Sequence, residues 1–191
     1  MRATNSPTLF PETAKPKPRN QTAYNFEFQT QEPTKIPEIN FYTAGSSLDT
    51  KSALDVEALT TIYRLEMSGE HFYNSLADRV GNEEAADLLR KNGVEERGHA
   101  RRIARALSIK TGTEWSPTPE QEILLDAPMP DSIDAPLFLA VVKGEIDGDA
   151  GYQTWADLEP NEEVARLLRL NGREETVHAG RAQQVYEILS R

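Results

Sequence analysis

The sequence predicts an all-α fold built from two similar helical hairpins. From about residue 52 onward, apolar residues recur at three- and four-residue steps, which is the period of an amphipathic helix. When the chain is aligned with itself at an offset of 79, residues 61–107 match residues 140–186 at 19 of 47 positions. A proline-containing segment separates the two copies. Together these observations predict a four-helix bundle with one long crossover connection.

The first hairpin is predicted over residues 52–108. The apolar residues of its first helix include Leu59, Ile62 and Leu76. After a break at Gly81-Asn82, Asn82 followed by two glutamates is typical of a helix N-cap with acids in the first turn. We expect the second helix to end near Thr111-Gly112. The break is so short that the two helices must return antiparallel.

The second hairpin is predicted over residues 136–190. Its helices run from about Pro136 to Leu158 and from Glu162 to Leu189, with a break at 159–161. The connection from about 110 to 134 contains four prolines, which exclude one continuous helix. Its length suits a crossover along the outside of the bundle. Residues 51–191 are therefore expected to form one domain.

Residues 1–50 differ in composition from the rest of the chain. They contain six of the twelve prolines, with five basic and five acidic residues, so the net charge of −10 belongs to residues 51–191. Such a segment buries too little apolar surface alone to offset its ordering entropy. Two interpretations stay open for this Pro-rich N-terminal extension. It is either flexible or an arm that docks through its aromatic residues on the bundle or on a neighbouring subunit.

Composition also excludes several classes of protein. The chain has no cysteine, which excludes disulfides, thiolate metal sites and cysteine nucleophiles. Its acidic balance argues against nucleic acid and anionic membranes as partners. No apolar run reaches the length of a signal peptide core or a membrane span. We therefore expect a soluble cytoplasmic protein.

Residues suited to binding metal occur twice with every spacing kept. In order, Glu66, Tyr73, Glu96 and His99 reappear as Glu145, Tyr152, Glu175 and His178. Residues at i and i+3 share a helix face, so each Glu-x-x-His pair converges on one point. Four carboxylates brought together in a core repel one another and lose several kcal/mol of hydration each. Two divalent cations would cancel that charge.

We therefore predict a paired-metal site at the centre of the bundle. Its predicted ligands are Glu66, Glu96, His99, Glu145, Glu175 and His178. Mixed oxygen and nitrogen ligation favours iron, with manganese as the alternative.

Further residues match between the repeats near these ligands. Tyr73 and Tyr152 are either core residues or, as we expect, hydrogen-bond donors to bridging carboxylates that fix ligand orientation. Other matched positions are Glu70 with Asp149 and Gly69 with Gly148. The acids are either a proton relay or reserve ligands, or they lie on a solvated face. The glycines predict a close approach of helices or room for a small oxidant.

The ligand motifs resemble those of the ferritin-like superfamily, and within it the rubrerythrin-like proteins. The resemblance covers about residues 52–190 and depends on Glu66 with Tyr73, Glu145 with Tyr152, and the segments 96–100 and 175–179. It implies a di-iron centre. By resemblance, Glu96 and Glu175 bridge the two irons, and Glu66, His99, Glu145 and His178 are terminal ligands. The chain departs from typical rubrerythrins because Gly148 replaces an additional glutamate and a cysteine-rich electron-transfer domain is absent.

The favoured function is therefore a di-iron oxidoreductase that reduces hydrogen peroxide or oxygen with electrons from an external donor protein. Three alternatives stay open. They are ferroxidation and iron handling, which would need a large hollow assembly, oxygenation of an organic substrate, and a non-enzymatic metal-binding scaffold. The oxygenase would need an apolar channel to the metals. We expect a homo-oligomer, with a dimer favoured.

Overall fold

The structure, a computed structural model, describes residues 40–48 and 54–191 and is all-α over these ranges. It contains five helices: α1 (Phe41–Leu48), α2 (Val56–Arg79), α3 (Glu83–Thr111), α4 (Ala135–Leu158) and α5 (Glu162–Leu189). No strand occurs in the described residues. Within the same ranges, no helix is both long enough and apolar enough to cross a bilayer. The all-α prediction is confirmed.

The observed helix boundaries follow from local capping. Asp55 accepts a hydrogen bond from the Ala58 N–H at 2.7 Å, so α2 begins four residues later than the apolar pattern suggested. The side chains of Asn82 and Asn161 cap α3 and α5 in the same way. Gly112 ends α3 with a φ of 72°, the left-handed conformation that glycine adopts without strain.

The helices pack as two hairpins joined along one pair of helices. α2 packs on α3 and α4 packs on α5, and the two hairpins meet where α3 crosses α5. In the described part of the chain, α2 and α4 make no close backbone contact. The apolar core consists of two clusters toward opposite ends of the bundle. One contains Leu59, Ile103 and Leu168, and the other contains Leu76, Leu89 and Phe138.

The connection between α3 and α4 runs along α2. Leu125 N–H donates to the Ser68 hydroxyl at 2.8 Å, and Arg64 donates to the Ile123 carbonyl oxygen at 3.1 Å. This agrees with the crossover expected from the prolines.

Helix α1 lies in the segment that the sequence assigned to an extension, and the sequence pattern did not predict it. The ring of Phe41 stacks on Phe72 of α2 with centroids 5.5 Å apart. The Phe41 N–H donates to the Asp126 carbonyl oxygen at 2.8 Å. The remainder of the predicted extension, residues 1–39 together with 49–50, lies outside the described residues.

Candidate metal centre

The six predicted ligands meet between the two apolar clusters. We call them the Glu–His cluster. Donor atoms of Glu96, His99, Glu175 and His178 all lie within 4.8 Å of one another, and all four residues are buried. Glu66 Oε2 lies 3.3 Å from His99 Nδ1, and Glu145 Oε2 lies 3.7 Å from His178 Nδ1. The prediction that the two repeats bring these side chains together agrees with these distances.

Two of the glutamates face both histidines. Glu96 places Oε2 3.4 Å from His99 Nδ1 and Oε1 3.2 Å from His178 Nδ1. Glu175 places Oε1 3.1 Å from His99 Nδ1 and Oε2 3.1 Å from His178 Nδ1. Each of these carboxylates therefore directs one oxygen to each histidine. Glu66 instead contacts His99, and Glu145 contacts His178. The cluster divides into two halves that share two carboxylates.

The inner nitrogens of both histidines lack hydrogen-bond partners. Nδ1 of His99 and Nδ1 of His178 are buried and unpaired, and both rings are fully buried. A buried polar atom without a partner costs about 1–3 kcal/mol, so native proteins rarely leave one unexplained. Imidazole nitrogens among carboxylate oxygens are a donor set that transition metals prefer. The residues present therefore fit a metal ion.

The outer nitrogens are held by glutamates of the opposite hairpin. His99 Nε2 lies 3.1 Å from Glu174 Oε2, and His178 Nε2 lies 3.1 Å from Glu95 Oε2. A carboxylate there accepts the Nε2–H, which places the proton on the outer nitrogen and leaves the Nδ1 lone pair facing the cluster. Histidines that bind metals are commonly oriented in this way.

Arginines one helical turn beyond the histidines hold these glutamates in place. Arg102 donates to Glu174 and, at 2.5 Å, to the side-chain oxygen of Asn171. The Asn171 amide nitrogen in turn lies 3.5 Å from the His99 carbonyl oxygen. Arg181, Glu95 and Asn92 form the matching contacts around His178. Both arginines are thereby paired outside the cluster and do not neutralise its carboxylates.

The two tyrosines donate across the bundle. The hydroxyl of Tyr73 in α2 donates to Glu145 Oε1 in α4, and the hydroxyl of Tyr152 in α4 donates to Glu66 Oε1 in α2. Both hydroxyls therefore donate to carboxylates of the Glu–His cluster, across the bundle as expected. The acceptors differ from the predicted bridging glutamates Glu96 and Glu175, because each hydroxyl reaches the first-helix glutamate of the other hairpin.

The electrostatics of the cluster favour bound protons when no metal neutralises it. Burial raises the pKa of Glu66 to about 7, and burial together with the Glu96 charge raises the pKa of Glu175. Burial by itself lowers the pKa of a histidine. The carboxylates that surround each ring outweigh it, so the pKa values of His99 and His178 lie above their ordinary value.

The acids at the other matched positions have partners within their own hairpin. Glu70 forms two hydrogen bonds with Arg97, at 2.8 and 2.5 Å. Asp149 accepts hydrogen bonds from Thr176 at 2.7 Å and from Gln153 at 2.8 Å. In the structure, both acids thus tie the first helix of a hairpin to its second.

The matched glycines lie opposite the shared carboxylates. A Cβ atom at Gly69 would lie 3.2 Å from Glu96 Cδ, whereas a Cβ atom at Gly148 would lie 3.6 Å from Glu175 Cγ. The first is a tight approach and the second an ordinary contact. The expected close approach occurs at Gly69, and additional room exists at Gly148.

Six outer residues of the site were not predicted from the sequence. They are Asn92, Glu95 and Arg102, with their counterparts Asn171, Glu174 and Arg181. All six are identical between the repeats, and this identity is the sequence feature that could have identified them. No family model matches the chain, nor does any curated protein or solved structure. The interpretation of the centre therefore depends on its own residues.

Proposed function

We propose that the protein is a ferritin-like, rubrerythrin-like di-iron oxidoreductase that reduces hydrogen peroxide or oxygen with electrons from an external donor protein. The observation that carries this proposal is the pair of unpaired imidazole nitrogens, each facing one oxygen of Glu96 and one of Glu175. It supports two metal positions that share two carboxylates. Two bound irons would supply one electron each to a two-electron oxidant, and manganese is the alternative metal.

The charge of the cluster matches two divalent cations. Four carboxylates carry four negative charges when ionised, and the two histidines bind metal in their neutral form. Metal binding must therefore displace the protons that burial and the neighbouring carboxylates retain in the metal-free protein. The outer glutamates keep a proton on each Nε2, so the neutral imidazole offers its Nδ1 lone pair to the cluster.

The tyrosines orient the two glutamates that face a single histidine. Tyr73 occupies Oε1 of Glu145, whose Oε2 faces His178. Tyr152 occupies Oε1 of Glu66, whose Oε2 faces His99. Each of these carboxylates therefore has one oxygen held by a hydroxyl and the other turned toward the cluster, which suits a terminal ligand.

Elemental analysis tests the proposal directly. Protein produced with iron should contain about two iron ions per chain, because the cluster divides into two halves. Glu96→Gln should lower that content, since Glu96 serves both halves. Glu70→Gln is the matched control, because Glu70 pairs with Arg97 outside the cluster. Folded, iron-supplied protein without iron would overturn the proposal.

Reoxidation kinetics test the chemistry. Anaerobically reduced, iron-loaded protein should be oxidised once and rapidly by peroxide or oxygen and then stop, because the chain has no cysteine to support a second redox centre. Added electron donor should restore turnover. Reduced protein that stays unreactive toward both oxidants over minutes would refute the redox function. The external donor, the dimer and the cytoplasmic location stay predictions from the sequence.

A second candidate function is oxygenation of an organic substrate. It is favoured by an apolar cavity that reaches the same carboxylates. Continuous turnover that requires an added organic substrate would select it over peroxide or oxygen reduction.

A further inference from the structure

A cavity of about 760 Å³ lies between α2 and α4, where these helices make no close backbone contact. We call it the α2–α4 cavity. Helices α1, α2 and α4 form its walls, whereas α3 and α5 contribute one residue each, the buried carboxylates of Glu96 and Glu175. The walls are mainly apolar and include Phe41, Leu48, Ile62, Leu65, Phe72, Leu137, Val141 and Trp155. The inner end of the cavity is therefore the Glu–His cluster.

The cavity is far larger than a small oxidant requires. At the roughly 30 Å³ that a water molecule occupies in the liquid, 760 Å³ corresponds to about 25 water-sized molecules. Peroxide and oxygen contain two heavy atoms each. The volume instead falls within the roughly 300–1,000 Å³ of pockets that bind organic ligands. A small oxidant passing to the cluster would therefore occupy only a small part of the cavity.

The lining selects against negative charge on the ligand. Among the described residues it contains five carboxylates, those of Glu66, Glu96, Glu145, Asp147 and Glu175, and no lysine, arginine or histidine. An anionic head group would find no counter-charge on these walls, and burying it there would cost free energy. Apolar walls gain free energy when an apolar molecule replaces water against them. Two bound divalent ions would offset the four cluster carboxylates, so a cationic group would gain little there, and the lining favours a neutral apolar ligand.

The shape favours a small molecule over an inserted protein helix. A helix with its side chains is about 10 Å across, so 760 Å³ would hold fewer than about two turns of it. Helix α1 also contributes Phe41 and Leu48 to the lining, and its stacking on Phe72 makes the space between α2 and α4 a pocket.

We propose that the α2–α4 cavity binds a neutral apolar organic molecule of roughly ten to twenty non-hydrogen atoms, with one end against the Glu–His cluster. This inference rests on the proposed function only in taking the inner end of the cavity to be a metal site. The expected binding of an apolar molecule depends on the apolar side chains of the cavity walls alone. It adds to the redox centre the substrate class that the oxygenase candidate requires.

Ligand binding can be measured on the full, iron-loaded chain with the neutral fluorescent probe N-phenyl-1-naphthylamine. Primary alcohols from hexanol to dodecanol should displace the probe with affinity that rises about two- to fourfold per methylene, as expected for burial of each CH₂. The rise should end once the chain fills the cavity. In the metal-free protein, dodecanoate should compete less well than dodecanol, because there its carboxylate meets only like charge.

Two matched variants locate the binding. A Cβ atom at Gly144 or at Gly180 would meet nothing within 4 Å, and both residues are exposed and helical. Gly144 lines the cavity, whereas Gly180 does not. Gly144→Phe should therefore weaken probe binding about tenfold or more, and Gly180→Phe should leave it unchanged. If Gly144→Phe loses its helical circular dichroism, Ala140→Trp on the same wall provides the same test.

Three results would overturn the proposal: no probe binding, equal loss in both phenylalanine variants, or tighter binding of dodecanoate than of dodecanol to the metal-free protein. A second copy of the chain filling the cavity would produce the first result together with a dimer in size-exclusion chromatography. Iron content measured on the same samples separates the two proposals. Lost probe binding with iron retained refutes the cavity ligand alone, and probe binding without any iron refutes the di-iron function alone.

Discussion

The two glycines opposite the shared carboxylates provide a graded test of the site. Alanine in a helix interior is favoured over glycine by about 0.8–1.0 kcal/mol. Gly148→Ala adds a methyl group at an ordinary contact distance, 3.6 Å from Glu175 Cγ, so it should realise most of that gain. Gly69→Ala places its methyl group 3.2–3.3 Å from three atoms of the Glu96 carboxyl end. Because Glu96 faces both histidines, its displacement should disturb both halves of the cluster.

We expect Gly148→Ala to raise the midpoint of thermal unfolding by about 2–4 °C, the usual effect of 1 kcal/mol in a chain of this size. Its iron content should stay at that of the unsubstituted protein. Gly69→Ala should reduce the iron content and bring a smaller or negative change in the midpoint. Gly180→Ala, where a Cβ atom meets nothing within 4 Å, measures the helix-propensity gain alone.

Calorimetry and elemental analysis of these three variants test whether a methyl group at residue 69 displaces Glu96. Identical iron contents and midpoints for Gly69→Ala and Gly148→Ala would refute the contact argument. So would loss of iron from Gly148→Ala alone.

Three further predictions concern protons and the outer residues. Metal-free protein should lose stability in thermal melts as pH rises from about 5 to 8. The native pKa of Glu66, about 7, exceeds its ordinary 4.5, so in this range the native state binds more protons than the unfolded state. A midpoint that rises with pH would contradict this prediction. Glu174→Gln should weaken iron binding about 10–100-fold in chelator competition, whereas an unchanged affinity would exclude an orienting role for Glu174. Tyr73→Phe and Tyr152→Phe should slow stopped-flow reoxidation and retain iron; loss of iron would instead mark the hydroxyls as essential to binding.

The repeat made most of the site predictable. Its constant spacing placed each Glu-x-x-His pair on one helix face, and the caps at Asn82 and Asn161 are local signals that need no tertiary information. Helix α1 was not predictable in this way. A helix of eight residues has little intrinsic stability, and α1 packs on α2 through the contact between Phe41 and Phe72.

The pairing of side chains between the two hairpins also could not be predicted from the sequence. Spacing states which residues share a face of one helix, but not which helix that face meets. Glu95 and Glu174 each lie one residue before a predicted ligand, about 100° around the helix, and therefore resembled solvated acids. The crossing of α3 and α5 turns each of them toward the histidine of the other hairpin. The acceptors of the tyrosines depend in the same way on the order of helices around the bundle.

The two tyrosine–glutamate bonds have a consequence for how the molecule responds to its ligands. In the described residues, these are the side-chain hydrogen bonds that cross between α2 and α4, the helices that border the cavity. A ligand that spread the two helices would pull on Glu66 and Glu145, and a metal that fixed these glutamates would restrict the spread. If both bind as proposed, occupancy of the cavity and affinity for metal are linked, and the coupling free energy is the same in both directions.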